Sequence, residues 1–296
     1  MNIFFLIIVS IFFFSSCSDS NNETMYMPMG KEVTTKAYKF GIHPYLNSRK
    51  MYEVYAPILD LIEAEIGDIE IQLETSANYE EYNTKLYRGD FDFSLPNPFQ
   101  TFNAIKKDYY VVARMKPDSV FRGIFVARKD SGLKEPKQLI GKSVSFPAPT
   151  ALAAAMMPLF YLHKNGLDVE HDIEKKYVGS QHSSILNAYN NDTIAGATWP
   201  PPWELWKKEN PLKAQEMEVV WETRSLINNG VVFKKSVDKA LAKRITEILI
   251  NLDKTSAGKK LLDNGGFEGF TQSDNRDYEL VDTFLKEYDR AIGIPK

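Results

Sequence analysis

Apolar residues along this chain switch repeatedly between two rhythms. "YKFGI" is a short apolar run of strand type, and "KMYEVYAPILDLIEAEIG" repeats its apolar positions at helical spacing up to Gly67. "IEIQLET" alternates as a strand does, "NYEEYNTKLYRGD" is helical to a stop at Gly89, and "FDFSLPNP" is a strand running into a turn. "GIFVARKDSG" and "SVSFPAP" are further strands, the second leading into an alanine-rich helix. "IAGATW" and "GVVFKK" are later strands, and from "DKALAKRITEILINLD" to the end the pattern is helical. Repeated strand–helix units predict an α/β fold with mainly parallel sheets.

The first residues follow neither rhythm. Ile3 to Phe14 is an unbroken apolar run, short for a membrane span and of the length of a signal-peptide core. Ser15 and Ser16 then lead to Cys17, the only cysteine, in the manner of a bacterial lipobox. No Lys or Arg precedes the run, and Phe14 stands where Leu or Val is commoner. The reading is a signal peptide over residues 1–16, then a lipidated Cys17 and a polar tether over 17–36 that cannot form a core. The alternative is a buried free thiol. Acyl chains on both the thiol and the new amine suffice for stable anchoring, so an exported, membrane-attached protein is expected.

Composition removes several functions. A net charge of −3 with scattered Lys and Arg offers nothing to nucleic acid. Four histidines and one cysteine without ligand spacing predict neither a disulfide framework nor a metal site. No cofactor is expected. No nucleophile motif or phosphate loop unites the serines, histidines and acids, so an enzyme is not expected either. The length of 296 residues suits two lobes.

Five blocks carry a family likeness: "HPYLNSRKMYEVYAPILDLIE", "TSANYEEYNTKLYRGDFDFSLPNPF", "FRGIFVARKDSGLKEPKQLIGKSVSFPAPT", "VGSQHSSILNAYNNDTIAGATW" and "WETRSLINNGVVFKKSV". Together and in this order they resemble the phosphonate-binding, PhnD-like family of periplasmic solute-binding proteins of ABC importers. The resemblance implies a two-lobed type II binding-protein fold, with lobe 1 over 37–125 plus 222–296, lobe 2 over 126–221 and two hinge crossings. It implies a small oxyanion (phosphonate, phosphite or phosphate-like) held in the cleft, ABC permease subunits as partners, and a monomer. A sensory partner of a membrane receptor or kinase would need the same closing cleft, and sequence does not separate the two.

The resemblance also implies site positions. The family binds its oxyanion at the start of the helix after the "SVSF" strand, usually through a Ser-Thr-Ser run. Here that run reads Ala151-Leu152-Ala153 after Thr150, which leaves backbone amides and a threonine suited to capping. The family's first tyrosine is kept as Tyr79, and a second becomes Phe121. The family histidine reads as Gln181, with His182 next to it. One acid that holds a ligand amine falls near Pro200 and another on Asn229, so aminoalkyl phosphonates are expected to be poor ligands.

Two features stay open. In "TWPPPWELW" the tryptophans either cover the core of lobe 2 on a stiff loop, or Trp199 or Trp203 forms a cleft wall. In "PNP", Asn97 is either a hydrogen-bonding group of the cleft or a turn residue. Arg122 and Arg128 read most simply as solvated charges at strand ends.

Overall fold

The structure is a computed structural model that describes residues 35–295. The leader, Cys17 and nearly all of the tether lie outside the described residues. The strands are β1 (Lys36–Ile42), β2 (Ile69–Glu74), β3 (Phe93–Leu95), β4 (Tyr109–Met115), β5 (Ile124–Arg128), β6 (Lys142–Phe146), β7 (Ile173–Tyr177), β8 (Ala195–Thr198), β9 (Met217–Glu222), β10 (Gly230–Lys234) and β11 (Phe270–Gln272). They form a six-stranded sheet of order β11-β4-β10-β3-β1-β2 and a five-stranded sheet of order β7-β6-β8-β5-β9. This is the two-sheet α/β architecture that the alternating pattern predicts.

Strand directions are mainly parallel, but the pairing is mixed. β1 pairs parallel with β2 and β3, while β10 is inserted reversed between β3 and β4. In the other sheet β6 pairs parallel with β7 and β8, and β5 is inserted reversed between β8 and β9. The cause is the path of the chain. β5 and β10 each follow a crossing from the other sheet, so they start at the end where the neighbouring strands finish. The crossings, residues 116–123 and 223–229, run side by side: Thr223 N donates to Gly123 O at 2.9 Å, and Leu226 N donates to Phe121 O at 2.9 Å.

The helices are α1 (Ser48–Ile66), α2 (Tyr79–Arg88), α3 (Pro98–Ile105), α4 (Met157–Lys164), α5 (Gln181–Tyr189), α6 (Pro200–Glu209), α7 (Pro211–Ala214), α8 (Lys239–Asn251), α9 (Ser256–Gly265) and α10 (Glu279–Ala291). Helix α1 shows why the pattern was readable. Asn47 Oδ1 caps it, and Met51, Val54, Tyr55, Ile58, Leu59 and Ile62 form one buried stripe. Helix α2 stops at Gly89, whose φ of 81° is left-handed.

Two expectations change. The "PPPW" segment is not a loop but the first turn of α6, where prolines remove no intrahelical hydrogen bond. The C-terminal region is not wholly helical, since β11 separates α9 from α10 and closes the edge of the six-stranded sheet.

Candidate ligand-binding site

The strands that share a direction end on one side of each sheet, and the two sheets bring those ends together. His43 follows β1, Tyr79 starts α2 after β2, and Asn97 follows β3; Leu152–Ala154 follow β6, Gln181 follows β7, and Trp199 follows β8. Phe121 approaches β5 from its amino end, which lies opposite the end of β8 because Ile124 pairs with Thr198. All of these residues line one pocket. A cleft beyond the carboxyl ends of strands is where open α/β sheets bind ligands. The cavity these residues enclose is ≈ 10 Å³, about the space of one water molecule.

The floor is a run of unpaired amides. Residues Leu152–Met156 form a π-helical turn that continues into α4. Ala151 N donates to Ala148 O at 3.1 Å, and Ala155 N and Met156 N both donate to Ala151 O. Between them, the amides of Leu152, Ala153 and Ala154 have no acceptor among the described residues. Of the expected donors Ala151, Leu152 and Ala153, the first is used by the preceding turn, and the acceptor-free run extends to Ala154. Thr150 is not the cap; Ala151 is, without a side-chain bond. Thr150 instead faces a neighbouring cleft of ≈ 580 Å³, which Tyr79, Asn83 and Asn103 also line. Small residues keep the floor close to the crossing. A Cβ on Gly123 would sit 2.4 Å from Ala153 O.

One wall is a relay of hydroxyl and amide groups. Thr198 Oγ1 donates to Gln181 Oε1 at 2.8 Å, and Gln181 Nε2 donates to Tyr79 Oη at 3.3 Å. Since the phenol oxygen is already accepting, its own proton is free to donate to a bound oxygen. Burial pushes the Tyr79 pKa upward, so that proton stays in place at neutral pH. Gln181 is 2% exposed and is positioned by α5, which lies so close to β8 that a Cβ on Gly196 would meet Ser184 O at 2.2 Å. Ser184 Oγ donates to Ser145 O at 2.9 Å and Ala197 O at 2.7 Å, pinning α5 to β6 and β8.

Asn97 does two things. Its Oδ1 accepts from Gln100 N at 3.0 Å, capping α3, and its Nδ2 donates to Thr150 O at 3.0 Å on the opposite side. Its φ of −70° is ordinary, so no unusual turn geometry explains its presence. Opposite it, Trp199 packs at 5.6 Å from both Tyr45 and Phe121. Trp203 does not reach the pocket; it stacks on Trp206 at 5.4 Å in a separate apolar cluster behind the five-stranded sheet.

Two expected residues lie elsewhere. His182 points outward from α5 toward a surface pocket with Lys50 and Glu209. Asn229 belongs to the second crossing, fully buried, where its backbone N donates to Asn228 Oδ1 at 2.8 Å. Arg122 pairs with Glu222 at 2.7 Å and Arg128 with Asp130 and Glu216, and none of these lines the pocket.

His43 was missed by sequence reasoning as a site residue. It is 2% exposed, its Nδ1 lies 2.8 Å from Leu95 O, and burial pulls its pKa down to about 4. The signal available was a histidine directly after a strand, a pattern shared with many core histidines.

The pocket thus holds free amides, a phenol donor, two carboxamides and aromatic walls, with no Asp, Glu, Lys or Arg lining it among the described residues. The model of the family described as the periplasmic substrate-binding protein of phosphonate ABC transporters matches residues 40–278. The chain belongs to this phosphonate-binding family. One family relative is the probable ABC transporter phosphite binding protein PhnD1 of Prochlorococcus marinus MIT 9301, 24% identical over 196 residues, 62% of this chain. The match spans 64% of that relative's length, just under two thirds. Among solved structures, a binding-protein component of a phosphonate ABC transporter from Pseudomonas aeruginosa superposes with a TM-score of 0.80 at 14% identity, covering 87% of this chain and 88% of the other. PhnD1 of Prochlorococcus marinus in complex with methylphosphonate gives 0.78 at 20% identity, covering 86% and 99%. At these identities the structural likeness supports the fold. Within the family frame, this member offers its amide floor without the hydroxyls expected there.

Proposed function

We propose that this protein is an exported, lipid-anchored solute-binding component that captures a small phosphonate-, phosphite- or phosphate-like oxyanion and delivers it to an ABC permease. The observation that carries the ligand reading is the row of acceptor-free amides at Leu152, Ala153 and Ala154, in the same pocket as the Tyr79 hydroxyl and with no carboxylate lining it among the described residues. Amides and a neutral phenol favour negative charge, and nothing in the pocket partners an ammonium. The named ligands of the relatives, phosphite and methylphosphonate, have this chemistry.

The proposed lobes are 37–125 with 222–296 and 126–221, joined by the two crossings. Sheet membership supports these limits to within two residues, since β5 begins at Ile124 and β9 ends at Glu222. Closure of the lobes over the anion is the proposed signal to the transporter. Anchoring through Cys17 follows from the lipobox-like leader.

Calorimetry with methylphosphonate, phosphite, phosphate and chloride tests the ligand. Binding of at least one phosphorus anion far above chloride is expected; equal response to all four would sink the reading. Expression with Cys17→Ala tests the anchor, the variant being expected to leave the membrane fraction.

A further inference from the structure

We propose that His43 selects the protonation state of the ligand: its Nε2 accepts a hydrogen bond from a P–OH group, so the pocket takes a tetrahedral phosphorus monoanion that still carries one proton. This deepens the proposed function and rests on it.

The tautomer follows from the partner. Leu95 O, 2.8 Å from His43 Nδ1, can only accept, so Nδ1 carries the hydrogen. A neutral imidazole then has its lone pair on Nε2. The ring is 2% exposed. From its own loop Tyr45 stacks on it at 5.1 Å, with its hydroxyl bonded to Tyr55 Oη at 2.8 Å. From α2, Tyr82 bonds to Ser94 Oγ at 2.6 Å, and Tyr79 lies edge-on with ring centroids 6.1 Å apart and its hydroxyl makes no hydrogen bond to the imidazole. From β3 comes only the Leu95 carbonyl. The five-stranded side contributes Gln181 and Trp199 to the same pocket, neither of them titratable near neutral pH. No protein hydrogen bond reaches Nε2 among the described residues, and His43 lines the cavity.

The imidazole stays neutral because burial, unopposed by any carboxylate, holds its pKa near 4. The pocket therefore combines several donors with an unpaired imidazole lone pair and, among the described residues, no Lys or Arg. A dianion would place two charges against neutral donors and set an oxygen lone pair against the Nε2 lone pair. A sulfonate, a monoanion without a proton, would leave Nε2 buried and unpaired, which costs free energy. A singly protonated phosphonate or phosphite satisfies both sides at once.

The test is calorimetry on the full chain with methylphosphonate and methanesulfonate, over a pH range bracketing the second ionisation of methylphosphonate and in two buffers of different ionisation enthalpy. Methylphosphonate affinity is expected to fall about tenfold per pH unit above that ionisation, with uptake of a proton on binding. Methanesulfonate should bind more weakly and without pH dependence there. In His43→Phe, the preference for phosphonate over sulfonate should drop about tenfold or more; should that variant not fold, the two-ligand comparison in the native protein decides alone. Methylphosphonate binding that tightens or stays level as pH rises, or sulfonate binding as tight, would overturn the role of His43 while leaving the oxyanion reading intact. No binding of either anion at any pH would overturn that reading and this inference together.

Discussion

Gln181 Nε2 on one side of the cleft donates to Tyr79 Oη on the other at 3.3 Å, and this bond both bridges the two sheets and aims the phenol proton into the pocket. Asn97 Nδ2 makes a second bridge to Thr150 O at 3.0 Å. Both bonds join the two sides, so the proposed ligand capture and closure would share the same residues.

Tyr79→Phe removes the phenol donor and also the acceptor of the Gln181 Nε2 bridge, while the ring packing is retained. A hydrogen bond to a charged group contributes about 1.5–3 kcal/mol, so methylphosphonate affinity should fall roughly 10- to 100-fold in calorimetry. The melting temperature without ligand should fall as well, because the buried Gln181 Nε2 loses its partner, at a cost of about 1–3 kcal/mol.

Gly123→Ala should damage the amide floor from behind. The new Cβ would stand 2.4 Å from Ala153 O and 2.7 Å from Pro158 Cγ, and backbone must yield. The expected result is a stability loss on the order of 1–3 kcal/mol in denaturant unfolding, with ligand affinity reduced beyond what the unfolded fraction explains.

His43 should make the protein acid-sensitive. Its pKa is lowered from 6.5 in the unfolded chain to about 4 in the fold, so the unfolded state takes up the proton first. The stabilisation is complete above pH 6.5 and is lost as pH falls toward 4, by about 3 kcal/mol in all. Denaturant unfolding across that window should show a steep acid limb that is flatter in His43→Gln.

Trp199 should report closure. It packs between Tyr45 and Phe121, while Trp203 and Trp206 sit in a separate cluster, so parting of the two sides changes its surroundings most. A ligand-dependent change in tryptophan fluorescence is expected in the native protein and should be lost in Trp199→Phe.

Much of the framework was legible because it depends on local periodicity. The buried stripe of α1, the Gly89 stop and the strands around "SVSF" need only apolar spacing and backbone conformation. The prolines before Trp203 misled for a local reason as well: Pro is tolerated at a helix start, and sequence does not say whether a helix follows.

By itself the sequence determined the alternation of strands and helices, the family frame and the lack of charged groups at the expected ligand positions. Tertiary structure alone decided which amides are free, since Ala151 N is used by Ala148 O in a turn that no periodicity reports. It alone sent Asn229 into a crossing and His182 to the surface, and brought His43 to the pocket with its lone pair unpartnered. The physical reason is that periodicity specifies which face of an element is buried, whereas a site is made where the ends of several strands, distant in sequence, converge.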